Sequence, residues 1–212
     1  RLLLGDPDYS GRSPGAARVL FAKGLPLRRL DASRAEVMAV RRDGDDMLLG
    51  PHASEPRLRE LLGKGARWEA VHLACHGLLN GQNPFRTALA LVPGKDVTHD
   101  GFLTTLEVFG LDIKADLVVL SACETGRGKH MEGEGLVGLS GAFLGAGAPR
   151  VISSLWKVED KATRDLMVRF YEEWAKPDVT TLTALRRAQE HVRKSLPDPY
   201  YWAGWVLWGR SD

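Results

Sequence analysis

The chain has 212 residues, with 29 basic and 27 acidic side chains and a formal net charge of +2. This balance excludes the strongly basic surface typical of nucleic-acid binding and the polybasic anchor typical of membrane attachment. No apolar run approaches the roughly 18 residues that span a bilayer. Two cysteines are too few for a disulfide framework, so the composition favours a globular protein of the reducing cytoplasm.

Strand-like and helix-like segments alternate along the chain, which predicts an α/β fold with a mainly parallel sheet. Ser33 and Glu36 have the spacing of a capping box, in which each side chain bonds a free backbone N–H at a helix start. This spacing predicts a helix that ends near residue 42. The other elements predicted in this half are strands at 2–5, 46–49, 70–75 and 88–92, a helix at 16–23 and a helix from Ser54 to about 63.

A second capping box, Thr104 with Glu107, predicts a short helix in the middle of the chain. The glycine-rich and charged segment 126–135 predicts a loop. Helical apolar spacing and continuous apolar runs alternate after it. The elements predicted in this half are strands at 116–122, 150–156 and 202–208, and helices at 136–146, around 166–174 and at 182–192.

Two apolar runs end in reactive side chains, and these are the most informative segments of the sequence. His76 and Gly77 follow the strand predicted at 70–75, and Cys123 follows the strand predicted at 116–122. Open α/β sheets place their chemistry at the carboxyl ends of their strands. A cysteine nucleophile needs a neighbouring imidazole, or another source of positive potential, to become a thiolate. We therefore predict that His76 and Cys123 meet in one crevice.

The neighbouring residues allow other interpretations, which we weighed against this one. Cys75 shares a strand face with apolar residues and is expected to be a small core side chain. His72 is expected to be a packed, hydrogen-bonded histidine. Cys123 itself has the alternative of being a buried free thiol. A zinc site formed by these residues is disfavoured, because ligands on opposite faces of one strand cannot meet at one metal.

The segment that ends the strand predicted at 150–156 is expected to border the same crevice. Its backbone offers an edge for an extended substrate, and Trp156 has the alternatives of a pocket wall or a core residue. Glu159 and Asp160 have the acidic character of a helix start. The glycine pattern at 133–138 does not directly follow a strand, so a nucleotide site is disfavoured. We also predict no metal and no other cofactor.

Four ordered motifs together resemble the CHAT domain, a caspase-like family related to separase and often found beside tetratricopeptide repeats. The motifs are His-Leu-Ala-Cys-His-Gly, Leu-Val-Val-Leu-Ser-Ala-Cys-Glu-Thr-Gly, Ser-Leu-Trp-Lys-Val-Glu-Asp and Tyr-Tyr-Trp-Ala-Gly-Trp-Val-Leu-Trp-Gly. The resemblance implies a three-layer α/β/α sandwich of the caspase type. It also implies cysteine peptidase chemistry, without a cofactor.

The resemblance further assigns roles to individual positions. It implies His76 as general acid/base, Cys123 as nucleophile, and an oxyanion site on the N–H groups of Gly77 and Cys123. A groove for substrate is implied along Ser153, Ser154, Leu155 and Trp156. Related enzymes use acidic residues in this stretch to recognise a basic P1 side chain. Here Lys157 occupies the first such position and Asp160 keeps the second.

The expected function is a regulated cysteine endopeptidase acting on protein substrates, with no role in nucleic-acid or membrane binding. The family resemblance implies control by a partner or an upstream repeat domain, in bacterial defence or cell-death signalling. Residues 1–212 are expected to form a single domain of a longer protein. The alternatives are a caspase-like scaffold or sensor without turnover, and an acyltransferase that uses the same thiol.

Overall fold

The computed structural model describes residues 1–10, 27–63, 65–80, 83–96, 98–122 and 134–212. The strands in these ranges are β1 (Leu2–Pro7), β2 (Asp46–Gly50), β3 (Val71–Ala74), β4 (His76–Leu78), β5 (Ala88–Ala90), β6 (Phe102–Thr104), β7 (Val118–Leu120), β8 (Arg150–Ser154) and β9 (Trp205–Gly209). The α-helices are α1 (Asp31–Val40), α2 (Glu55–Gly63), α3 (Thr105–Phe109), α4 (Glu134–Gly145), α5 (Asp160–Trp174) and α6 (Thr181–Ser195). None of these helices combines the length and apolar character that crossing a membrane requires.

Six strands form the central sheet, in the order β2-β1-β3-β7-β8-β9. The first five are parallel to their neighbours, and β9 pairs antiparallel with β8. The predicted α/β fold with a mainly parallel sheet is therefore confirmed. Because parallel strands point the same way, the carboxyl ends of β1, β3, β7 and β8 lie along one edge of the sheet.

Helices cover both faces of the sheet and make a three-layer sandwich. Successive strand residues point to opposite faces, so Leu2 and Leu4 of β1 enter one core cluster and Leu3 enters the other. Each fully buried side chain of this size contributes about 1.5–3 kcal/mol through removal from water. The first cluster includes Leu58 of α2, Val108 of α3 and Phe143 of α4, and the second includes Val37 of α1, Leu166 of α5 and Leu185 of α6.

A small antiparallel sheet, ordered β4-β5-β6, follows directly from the central sheet. The strand predicted at 70–75 ends at Ala74, and the chain bends at Cys75 before β4 begins at His76. The Cys75 side chain stays in the first core cluster with Leu73. His76 therefore does not simply follow a parallel strand, as the sequence suggested, but is the first residue of a second sheet, opposite Ala90.

The capping box predicted at Ser33 and Glu36 is wrong. Helix α1 begins at Asp31, and its N-cap residue Leu30 makes no side-chain cap hydrogen bond. The Ser33 hydroxyl instead donates to the Leu30 carbonyl and accepts from the Asp6 N–H, both at 2.8 Å. Glu36 points into the core toward His72. Both side chains form hydrogen bonds with residues of the sheet and therefore do not form the local capping box.

The second capping box is confirmed. The Thr104 hydroxyl accepts from the Glu107 N–H, and the Glu107 carboxylate accepts from the Thr104 N–H at 2.8 Å, at the start of α3.

The strands predicted at 116–122 and 150–156 are shorter in the structure, where they end at Leu120 and Ser154. The helix predicted at 16–23 lies outside the described residues, and so does the loop predicted at 126–135 up to residue 133.

Candidate active site

His76 lies at the carboxyl edge of the central sheet, immediately after the bend that ends β3. Strand β3 pairs with β7 through Val71–Val118, His72–Val119 and Leu73–Leu120. Cys123 follows β7 by three residues and lies outside the described residues, as does its N–H. The topology thus puts the strand that leads to His76 beside the strand that leads to Cys123.

A backbone carbonyl orients the His76 ring. His76 is 6% exposed, and its Nε2 lies 2.8 Å from the carbonyl oxygen of Arg28. Because a carbonyl oxygen only accepts hydrogen bonds, Nε2 must carry the proton. In the neutral imidazole the lone pair is then on Nδ1, which becomes the basic nitrogen. This is the tautomer that a general base needs if it removes a proton through Nδ1.

Tyr9 supports the same residue from the side of β1. Its ring centroid is 5.3 Å from that of His76, and its hydroxyl accepts from the His76 N–H at 3.4 Å. The Tyr9 hydroxyl also donates to the carbonyl of Ala90 in β5 at 3.0 Å. Tyr9 therefore fixes both the backbone and the ring of His76.

Gly77, the second predicted oxyanion residue, lies in β4 opposite Leu89.

A buried carboxylate, that of Asp6, lies close to this site near the carboxyl end of β1. Asp6 is fully buried, and both of its side-chain oxygens accept from Arg29, at 2.8 Å each. Arg34 donates to Oδ2 at 2.8 Å. The Arg29 guanidinium lowers the pKa of Asp6 below its ordinary value; burial acts in the opposite direction, and Arg34 lowers the pKa further. The carboxylate is thus stabilised in its ionised form.

The Asp6 interactions predict an acid-sensitive contribution to stability. Since the pKa of Asp6 is lower in the folded than in the unfolded chain, its contribution is complete above about pH 4, the ordinary aspartate pKa. It is lost as the pH falls through the lower folded value. We expect Asp6→Asn to be less stable at pH 7 and to lose less stability than the wild type on acidification below pH 4. Urea unfolding between pH 7 and pH 2.5 measures the difference, and parallel pH profiles would contradict this assignment.

The segment predicted to bind substrate comprises the last two residues of β8 and the residues that follow, on the other side of β7 from β3. The ladder with β7 extends to the Leu120–Ser153 pair within the described residues, and the ladder with β9 extends to Ser154–Trp205. The Leu155 N–H donates to the Gly204 carbonyl at 2.8 Å. Strand β8 is therefore an interior strand, and among the described residues its pairing with β7 ends at Ser153.

The side chains of this segment differ strongly in exposure. Ser153 and Ser154 are buried; the Ser153 Oγ accepts from the Ser140 hydroxyl and from Trp208 Nε1, at 3.0 and 2.8 Å. Trp156 is half-buried against the second core cluster, and its Nε1 donates to the Tyr200 carbonyl at 2.9 Å. Asp160 is exposed and is the first residue of α5. Leu155, Trp156 and Asp160 are the accessible members of the predicted groove.

The two residues that compete with the predicted dyad lie in the core. His72 is fully buried, with Nε2 3.0 Å from Glu36 Oε1 and Nδ1 3.2 Å from the Tyr171 hydroxyl. Cys75 is 1% exposed and packs in the first core cluster. The interpretations of His72 as a packed, hydrogen-bonded histidine and of Cys75 as a core side chain are both confirmed.

Comparison with solved structures defines the class of fold. This chain is similar to the Arg-specific cysteine proteinase gingipain R, with a TM-score of 0.55 and 11% identity over 99% of this chain and 45% of that one. It is also similar to the complex of the Porphyromonas gingivalis RgpB pro- and mature domains, with a TM-score of 0.57 and 10% identity over 100% of this chain and 47% of that one. At such low identity the likeness describes the fold alone, which is a caspase-like α/β sandwich.

The family model of the CHAT domain matches residues 1–210, and the chain belongs to this family. It is also similar to Tetratricopeptide repeat protein 28 from Mus musculus and from Homo sapiens. Each is 33% identical over 109 residues, which are 50% of this chain and 4% of the relative. The matched region is thus a small part of these much longer proteins.

Proposed function

We propose that this chain is a cysteine endopeptidase that cleaves protein substrates with Cys123 as nucleophile and His76 as general acid/base. The observation that carries the proposal is the 2.8 Å hydrogen bond from His76 Nε2 to the Arg28 carbonyl. This bond holds a buried imidazole in one tautomer, two residues after β3, which is the strand adjacent to the one that leads to Cys123. Family membership and the caspase-like fold give independent support.

The proposed reaction begins when the Cys123 thiol gives its proton to Nδ1 of His76. The thiolate attacks the scissile carbonyl carbon, and the resulting oxyanion accepts from the N–H groups of Gly77 and Cys123. One such donor contributes about 3–4 kcal/mol to transition-state stabilisation. The C–N bond then breaks, and His76 passes its proton to the departing amine. Water, deprotonated by His76, hydrolyses the acyl-enzyme and regenerates the thiol.

The proposed substrate is an extended peptide. It pairs with the backbone beyond Ser153, on the side where the described ladder with β7 has ended. Trp156 forms a wall of the groove, with its indole held by the Tyr200 carbonyl. The exposed carboxylate of Asp160 favours a basic P1 side chain, whereas Lys157 opposes one. Substrate selection by these residues is part of the proposal.

Regulation is proposed from family membership. The two matched relatives are tetratricopeptide repeat proteins, which fits an association of this domain with repeats. We propose that residues 1–212 form one peptidase domain, controlled by an upstream repeat domain or a separate partner. The family resemblance suggests a cytoplasmic role in bacterial defence or cell-death signalling. Activity assays therefore need the longest available chain together with candidate partners.

Labelling with an electrophilic peptide ketone tests the proposed dyad. We expect one adduct, which mass spectrometry of tryptic peptides maps to Cys123, because the Cys75 side chain is only 1% exposed. Replacement of His76 by Gln is expected to slow labelling about 100-fold or more at pH 7, since the thiol loses its general base. The matched control is His191→Gln, because His191 is exposed on α6.

Each outcome of this experiment bears on the proposal. Labelling of Cys123 that depends on His76 but not on His191 supports the dyad. Cleavage of a peptide library that is diverse at P1 then separates peptidase turnover from acyl transfer to an added amine. Absence of labelling in the full-length protein with its activating partner would contradict the peptidase and favour a scaffold. Equal labelling rates in His76→Gln and wild type would contradict the role of His76.

A further inference from the structure

The carbonyl that orients His76 belongs to a segment with its own anchor on β1. The segment 27–30 precedes α1, and its Arg28 carbonyl accepts from His76 Nε2. The next residue, Arg29, spans the Asp6 carboxylate with two hydrogen bonds, Nε to Oδ1 and Nη2 to Oδ2, at 2.8 Å each. We call Asp6 and Arg29 the Asp6 clamp. It joins the end of β1 to the residue adjacent to Arg28.

The geometry of the Asp6 clamp is suited to fixing a backbone position. A guanidinium bound through two parallel hydrogen bonds is held in plane and in direction, unlike a single ammonium contact. The carboxylate end is immobile, because Asp6 is fully buried and its N–H donates to the Ser33 hydroxyl at 2.8 Å. That hydroxyl donates in turn to the Leu30 carbonyl at 2.8 Å. Bonds at Arg29 and Leu30 therefore hold the segment on the C-terminal side of the Arg28 carbonyl.

The backbone of Asp6 is in a conformation that few side chains adopt. Its φ is +48°, in the left-handed region. Among residues other than glycine, aspartate is one of the types most often found in this region, but the conformation still carries strain. Such strain persists where surrounding contacts over-determine the geometry. Here those contacts are the hydrogen bonds that Arg29 and Arg34 donate to the Asp6 carboxylate and the one that the Asp6 N–H donates to the Ser33 hydroxyl.

Arg34 shares the carboxylate but not the connection to His76. Its Nε donates to Asp6 Oδ2 at 2.8 Å, and it is a residue of α1. Both arginine side chains are partly exposed, Arg29 by 61% and Arg34 by 43%, so shortening either one leaves no sealed cavity. Either variant leaves Asp6 with one arginine. The two positions are therefore a matched pair: each neutralises Asp6, but only Arg29 adjoins the Arg28 carbonyl.

We propose that Asp6 and Arg29 are positioning residues of the peptidase, which set the tautomer and orientation of His76 through the Arg28 carbonyl. Neither residue contacts the reacting atoms in this assignment. The proposal rests on the peptidase function for its kinetic consequence, but the orientation of the imidazole is a property of the folded chain alone. A change at the clamp is transmitted over one residue of backbone to the hydrogen bond at Nε2.

The test compares Arg29→Ala with Arg34→Ala in the activated full-length protein. We expect Arg29→Ala to lower kcat on the order of 10- to 100-fold, the loss typical of a displaced reacting group, with KM little changed. Arg34→Ala is expected to keep kcat within about two-fold, because both hydrogen bonds from Arg29 to Asp6 remain and still hold the residue next to the Arg28 carbonyl. ¹⁵N NMR of the histidine rings provides a second readout, with His76 assigned from the His76→Gln spectrum. The wild type and Arg34→Ala should show the Nε2-protonated tautomer, and Arg29→Ala a mixture of tautomers.

The two readouts separate this proposal from the peptidase proposal. A tautomer change confined to Arg29→Ala supports the clamp even if the wild type cleaves no peptide, in which case only the peptidase proposal fails. A tautomer that stays the same in all three proteins overturns the clamp, whatever the kinetics. Equal losses of kcat in both variants also overturn it, because a purely electrostatic role of Asp6 predicts them. Thermal unfolding of both variants shows whether a loss of kcat reflects loss of fold.

Discussion

Replacement of Cys123 by alanine is expected to lower kcat/KM for peptide cleavage on the order of 10⁴- to 10⁶-fold, as removal of one member of a catalytic unit does. The proposed acyl-enzyme requires a sulfur that bonds to the scissile carbon, and a methyl group has no lone pair for this step. His76 and the oxyanion donors remain in Cys123→Ala, so what survives measures their contribution without the nucleophile. Initial rates on a peptide selected from the P1-diverse library give kcat/KM directly.

Cys75→Ala is the matched control, since it removes the other thiol of the chain. Its side chain is 1% exposed and packs in the first core cluster, so we expect a loss of about 1 kcal/mol in the free energy of unfolding and an unchanged cleavage mechanism. Wild-type kinetics in Cys123→Ala would refute the peptidase assignment. Loss of cleavage in Cys75→Ala with the fold intact would transfer the nucleophile to Cys75.

The topology of the central sheet was predictable because its strands are buried on both faces. Such strands form continuous apolar runs, as in the segments that became β3 and β7. The alternation of helices and strands then requires parallel pairing through crossovers. These two features suffice to bring the segments after β3 and β7 to one edge of the sheet. The prediction that His76 and Cys123 lie at the same edge of the sheet depends only on these two features.

The immediate surroundings of His76 could not be predicted in the same way. Its orientation depends on a backbone carbonyl, that of Arg28, and every residue type carries one. Nothing in the sequence marks which carbonyl will accept the hydrogen bond. Tyr9 gave a weak signal, as an aromatic residue placed shortly after a strand end, but its contact with His76 joins residues that are 67 positions apart. The role of Asp6 could not be predicted for the same reason, because its partners Arg29 and Arg34 lie in a different segment of the chain.

The failed capping box at Ser33 and Glu36 illustrates a second limit. The local pattern was correct in spacing, and the equivalent pattern at Thr104 and Glu107 does form the box. The difference lies in what surrounds each helix start. Helix α1 packs on the sheet, so the Ser33 hydroxyl accepts from the Asp6 N–H and the Glu36 carboxylate contacts the His72 ring. Tertiary contacts override a local motif when a buried partner needs its side chains.

The second large effect is expected at the buried pair of His72 and Glu36. His72 Nε2 lies 3.0 Å from Glu36 Oε1, and the Tyr171 hydroxyl lies 3.2 Å from Nδ1. Burial raises the pKa of Tyr171, so its hydroxyl stays protonated and is able to donate to Nδ1. His72→Leu then leaves a buried carboxylate without its partner. We expect a loss of about 3–5 kcal/mol in the free energy of unfolding, measured by urea denaturation at pH 7.

A double-mutant cycle separates the lost pair from the stranded charge. In His72→Leu/Glu36→Leu no carboxylate remains buried at this position, and apolar side chains fill the space between α1 and β3. We therefore expect the double variant to be more stable than His72→Leu, with a coupling free energy of about 1–3 kcal/mol. If the losses from the two single variants simply add, the two residues do not act as a pair. The 3.0 Å contact would then be a consequence of packing and not a determinant of the fold.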